Sequence, residues 1–144
     1  MLYFDTSFVA PLLLEEATST QIEAFLTRQL VGDLCISHWV RVEFASLIAR
    51  EVRMGGLPET EALQAIVQFD QLVNESFRVL LPGPADYELA RKYIQRFATK
   101  LRAGDALHLA IASNHGAQTF YTLDEGLLNA AKLMKVHASR GIKI

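Results

Sequence analysis

The sequence has almost no sulfur chemistry to offer. Its single cysteine, Cys35, has no partner for an internal disulfide, and no Cys/His spacing fits a zinc site. It also lacks a surplus of positive charge. Lys and Arg number 14 against 16 Asp and Glu, a formal net charge of -2. Nucleic acid, if bound, must therefore meet a local basic patch rather than a global field. No apolar run approaches the roughly 20 residues that span a bilayer, so no membrane partner is expected. The N-terminus has no basic flank and Asp5 interrupts its apolar run, which does not read as a signal peptide. There is no GxxxxGK[ST] phosphate loop, no dinucleotide fingerprint, no internal repeat and no linker. A soluble cytoplasmic chain is the expectation, with one domain over residues 1–144.

What the sequence does have is a short apolar run that meets an acid. Leu2-Tyr3-Phe4 reads as a fully buried strand, followed by Asp5, Thr6 and Ser7. Ligands of open α/β sheets collect beyond the carboxyl ends of the strands, where Asp5 would stand. A carboxylate there needs a cation, a Lys or Arg, or the start of a helix that it caps.

Phe8 to Leu14 is apolar, and Pro11 limits its helix length. Glu15 to Leu30 reads as a longer helix with Ile22, Phe25, Leu26 and Leu30 on its inner side. Leu34 to Ile36 is a second strand, ending at Ser37. His38 to Met54 follows the helical period through Val40, Phe44, Leu47 and Ile48, and Glu43 falls on that apolar face. A partnered glutamate, with Arg41, Arg50 or Arg53, is one explanation, and a ligand role is another.

Gly55-Gly56 closes that helix and Pro58 opens the next, to about Asn74. Phe77 to Leu81 is a third strand, and Ala85 to Phe97 a helix with Leu89, Tyr93, Ile94 and Phe97 inward. Gly104 to Ala112 begins another helix, with Asp105 in its first turn and His108 one turn on, where it reaches the same site or, as the expected reading, is a core or surface histidine. Gln118 to Thr122 is a fourth strand, followed by Asp124. Helix Gly126 to Met134 and a short strand at Val136 complete the chain. This alternation predicts an α/β fold, a parallel sheet of about five strands with helices on both faces. Arg91, Lys92, Arg96, Lys100 and Arg102 crowd twelve positions, as either a solvated helix face or a ridge that tracks phosphates.

Four acids, Asp5, Glu43, Asp105 and Asp124, are thus expected at one edge of the sheet. Packed carboxylates repel and raise one another's pKa, and a divalent cation relieves this. Oxygen ligands without His or Cys favour Mg2+ or Mn2+ over zinc. One such ion, or two about 4 Å apart, suits phosphodiester hydrolysis.

The segments LYFDTS, SHWVRVEFASLIAR, GDALHLAIA and YTLDEGLLNAA together resemble the acidic motifs of PIN-domain ribonucleases, most of all the VapC-type toxins of toxin–antitoxin pairs. The resemblance covers nearly the full chain. It implies a three-layer α/β/α PIN-like domain with the first strand central. It implies that Asp5 and Asp105 hold Mg2+ or Mn2+ directly, that Glu43 and Asp124 act partly through water, and that Thr6, Ser7 or Thr122 orient them. It further implies cleavage of RNA such as tRNA or rRNA, a cognate antitoxin whose tail occupies a groove near the site, and a homodimer. Two other classes fit parts of the pattern. A phosphotransferase would use Asp5 as an aspartyl-phosphate nucleophile, although Ser7 stands where a second acid is usual. A PIN-like module that binds RNA or a partner without catalysis would not need the intact acid set. Housekeeping RNA processing would use the same chemistry as a toxin.

Overall fold

The computed structural model describes residues 1–144. Its centre is β1 (Leu2–Phe4), every residue of which is buried. Parallel partners flank it on both sides: β2 (Leu34–Ser37) and β4 (Thr119–Tyr121). β3 (Arg78–Leu80) and β5 (Ala138–Ser139) form the edges, giving the order β3-β2-β1-β4-β5. Side chains alternate across a strand, and β1 shows the result. Leu2 and Phe4 enter one core with Ile36, while Tyr3 enters the other with Phe120. The first core is closed by α1 (Thr6–Val9), α2 (Ser19–Thr27), α3 (His38–Arg53) and α4 (Glu59–Ser76). The second is closed by α5 (Pro84–Gln95), α6 (Ala103–Asn114) and α7 (Glu125–Leu133). This is the expected three-layer α/β/α arrangement.

The chain leaves β1 for β2 and β3 on one side, and later for β4 and β5 on the other. The order therefore reverses between β1 and β4, and a crevice opens at such a point beyond the carboxyl ends of the strands. Asp5 follows β1 and Asp124 lies three residues after β4. Helix α6 is apolar all round, with Ala106 through Ala112 buried, as a helix between a sheet and a neighbour must be. Its alanines let α5 lie close, antiparallel to it: Asn114 at the end of α6 donates to Asp86 at the start of α5, 2.9 Å. The connection 96–102 therefore sits at the Asp105 end of the pair.

Several boundaries differ from the sequence reading. Helix α2 begins only at Ser19, whose hydroxyl donates to the Pro11 carbonyl at 2.6 Å and accepts from the Glu16 amide. It ends at Thr27, so Leu30 lies in the following turn, 77% exposed, and not on an inner face. Helix α5 ends at Gln95 because the Arg96 backbone leaves helical geometry (ψ 86°); Phe97 then falls in a 3-10 turn, 85% exposed. Val136 is not in the last strand. Lys135 takes a left-handed φ of 58° and the Val136 amide folds back onto the Ala131 carbonyl at 2.9 Å, so β5 starts at Ala138.

The first core depends on Phe4, which is fully buried and stacks on Tyr121 with ring centroids 5.0 Å apart. Phe8 packs on it from α1 at the same distance. Phe4→Ala is expected to cost about 3–5 kcal/mol, read as a fall in the urea midpoint without a change in slope.

Candidate active site

Each of the four acids is delivered by a different element. Asp5 caps α1, accepting from the Phe8 amide at 3.1 Å. The capping explanation is thus correct, but it uses only part of one oxygen. Ser7 donates to the same Oδ1 at 2.7 Å and Thr122 to Oδ2 at 2.5 Å. Asp5 is 3% exposed, and burial raises its pKa despite His108 and these donors.

Glu43 lies in the second turn of α3. Its partner is none of the three nearby arginines; Arg41 faces Asp70 instead. Thr6 donates to Glu43 Oε1 at 2.6 Å, and His108 Nε2 meets the same oxygen. Burial acts to raise the Glu43 pKa, but the hydrogen bond with His108, together with that from Thr6, outweighs it and the net shift is downward. Gly104 makes the approach possible, since a Cβ there would stand 3.2 Å from Glu43 Oε2 and 3.3 Å from the Trp39 ring.

Asp105 is half-buried in the first turn of α6, where the helix dipole favours an anion. Its pKa is nonetheless raised, by burial first and then by the charge of Asp124, with smaller contributions from Glu43 and Asp5. Asp124 is exposed and caps α7, accepting from the Leu127 amide at 2.9 Å. Thr122 ties two of these elements together: it donates to Asp5 and accepts from the Asp124 amide at 3.0 Å. Thr6, Ser7 and Thr122 thus each donate a hydroxyl hydrogen bond to one of two acids, Glu43 or Asp5.

Asp5, Glu43, Asp105 and Asp124 line one depression of about 160 Å³, with Thr6, Ser7, His108 and Leu127. No Lys or Arg lines it, and none pairs with any of the four. As the side chains stand, no three His, Cys, Asp or Glu residues form a group that could hold a metal ion. The donor set still suits a hard cation. Mg2+ keeps several waters and is commonly held through one or two carboxylates, not a closed protein cage. Four carboxylates without a counter-cation, two of them with raised pKa, are the chemistry such an ion relieves.

The basic residues divide by position. All five are exposed. Arg91 is paired with Glu88 at 3.3 Å, and Arg96 donates to the Leu133 carbonyl at 3.1 Å. Arg102 stands at the N-terminal boundary of α6 without a side-chain capping bond, three residues before Asp105, and Lys100 lies two residues earlier in the left-handed region (φ 56°). The sequence reading offered His108 as a core residue or as one touching the site, and it is both, but the specific contact with Glu43 and its continuation inward through Tyr3 and Ser37 were not foreseen. The available signal was Tyr3 itself, because a phenol in a buried strand needs a hydrogen-bond partner.

The PIN domain family model matches residues 2–133. The chain belongs to the PIN-domain family. Solved structures share its fold at low identity. VapC20 of Mycobacterium tuberculosis, described as a toxin that cleaves the sarcin-ricin loop, is 21% identical over 90% of this chain and 95% of its own, with a TM-score of 0.71. FitAcB from Neisseria gonorrhoeae is 21% identical over 98% of each chain, TM-score 0.71. VapBC-1 of nontypeable Haemophilus influenzae is 16% identical over 98% of each, TM-score 0.68. Comparison with curated protein sequences gives no match.

Proposed function

We propose that this chain is an endoribonuclease dependent on Mg2+ or Mn2+, acting as the toxin of a toxin–antitoxin pair. The observation that carries the reading is the convergence of four carboxylates from four elements on one small depression without Lys or Arg. Asp5 and Asp105 hold the ion, Glu43 and Asp124 act partly through water, and Thr6, Ser7 and Thr122 fix the carboxylates. A bound divalent ion supplies a lowered pKa for water and neutralises charge on the scissile phosphate. Water adds to phosphorus and a ribose oxygen leaves. An aspartyl-phosphate route is less well supported, because Asp5 is buried with both oxygens accepting hydrogen bonds and no lysine lines the depression.

The substrate proposed is structured RNA, tRNA or rRNA, and the partners are a small antitoxin and a second copy of the chain. VapC20, with the same fold, is described as cutting the sarcin-ricin loop, and other structures of this fold are VapBC pairs. Brief expression followed by sequencing of RNA ends tests the activity, with Asp105→Asn as control. New ends at one or a few sites in tRNA or rRNA, absent from the control, are expected. Identical ends in both, or none in either, would refute the reading.

The RNA backbone is expected to run over Lys100 and Arg102. Replacing both by Glu should weaken RNA binding and lower the slope of log K against log salt by about 0.7 per lost contact on single strands. Arg91→Glu, which removes a cation already paired with Glu88, should change either quantity less.

A further inference from the structure

A buried line of side chains runs from the middle of the sheet to the acids. Ser37 Oγ lies 2.8 Å from the Tyr3 hydroxyl, and that hydroxyl lies 2.8 Å from His108 Nδ1. His108 Nε2 meets Glu43 Oε1, which also accepts from Thr6 at 2.6 Å. Ser37, Tyr3 and His108 are at most 1% exposed, so their polar atoms depend on one another rather than on water.

Hydrogen-bond accounting fixes the direction of this line. The Tyr3 phenol has one hydrogen to give and two neighbours within 2.8 Å, Ser37 Oγ and His108 Nδ1. The Glu43 carboxylate has no hydrogen to give and can only accept, as it does from Thr6. His108 Nε2 must therefore carry a hydrogen. The arrangement in which every hydrogen finds an acceptor runs one way: Ser37 donates to Tyr3, Tyr3 donates to His108 Nδ1, and His108 Nε2–H donates to Glu43. The opposite sense at Tyr3 would leave the buried Ser37 hydrogen without a partner, a costly defect.

The two Glu43 oxygens are consequently unlike. Oε1 accepts from two donors. Oε2 takes no protein donor and faces Gly104, next to Asp105 in the chain. We propose that His108, set in one tautomer by Tyr3 and Ser37, is a positioning residue that holds Glu43 by Oε1 and so presents Oε2 to the divalent cation. The consequence for catalysis rests on the nuclease reading; the orientation of the ring does not. A partner that orients a ligand in this way typically contributes 10–100-fold to metal affinity or activity.

The test uses the full chain. In 15N-labelled protein the His108 ring signals, assigned by their loss in His108→Gln, should show the Nε2–H tautomer. They should change in Tyr3→Phe, which keeps the ring packing and removes only the hydroxyl. Mn2+ affinity, read from the electron paramagnetic resonance of free Mn2+, should fall about tenfold in Tyr3→Phe and His108→Leu. His108→Gln, whose amide can donate from near the Nε2 position, should recover part of the loss. An Nδ1–H tautomer in the wild type, or ring signals indifferent to Tyr3→Phe, overturns the proposal. A wild type that cuts RNA with Mn2+ while Tyr3→Phe and His108→Leu bind and cut as well overturns the positioning role alone. A wild type that neither binds Mn2+ nor cuts RNA overturns both this proposal and the nuclease reading, and is recognised without any variant.

Discussion

Asp105→Asn is expected to abolish RNA cleavage and to raise the melting temperature of the metal-free protein in the same experiment. The two effects share one cause. Asp105 is half-buried without an ion pair, and burial together with Asp124, Glu43 and Asp5 disfavours its charge. Asparagine keeps the shape and removes the charge, so repulsion falls by a few tenths to a few kcal/mol and Tm rises by a few degrees. Cleavage should drop by about 100-fold or more, since charge stabilisation by a metal at a phosphoryl oxygen is worth several kcal/mol.

The pH dependence of that gain has a definite sign. The folded pKa of Asp105 lies above its unfolded value of 3.8. Below 3.8 both states hold the proton and Asp105 costs nothing. As pH rises, the unfolded state loses its proton first and stability declines until the raised folded pKa is passed. The stability advantage of Asp105→Asn should therefore be larger at pH 7 than at pH 3.8, and vanish well below pH 3.8. Asp5 is raised in the same sense, whereas Glu43 is lowered and contributes stability that is lost on acidification. Comparing variant with wild type at each pH removes the part of both that does not depend on the Asp105 charge. A gain that shrinks with rising pH would show that Asp105 is neutralised by a partner in the folded state.

Chelation is the second large effect. With EDTA the wild type should cut no RNA, and added Mg2+ or Mn2+ should restore cutting. The same ions should raise the wild-type Tm, because a ligand that binds only the folded state at 100 times its Kd adds about 2.7 kcal/mol. Asp105→Asn should show little of this rise. Cleavage that survives exhaustive chelation would remove the metal from the account.

The fold was legible where one side-chain pattern leaves one solution. Leu2-Tyr3-Phe4 has no polar face, so it had to lie at the sheet centre, and Ala106 to Ala112 had to be enclosed. The four acids were legible because each interrupts an apolar element or closes a strand. Leu30 and Phe97 were misplaced inward because periodicity runs on past the point where the backbone departs from helix. The pairing of Glu43 with His108 spans 65 positions and depends on the closeness of α3 and α6 at Gly104. Local spacing carries no record of such a contact. The contact of His108 with Glu43 was therefore the least accessible part of the site, although Tyr3 on a buried strand already required a partner.

The proposed divalent-ion binding by Asp5 and Asp105 is tested most directly by crystallography. A crystal soaked in Mn2+ and measured at the manganese edge should give an anomalous peak between these two carboxylates, within 2.5 Å of an oxygen from each, a separation of the order expected for hard oxygen ligands. The peak should be absent from Asp105→Asn. A wild-type crystal of protein that cuts RNA, saturated with Mn2+ and showing the ion elsewhere or nowhere, would contradict the account.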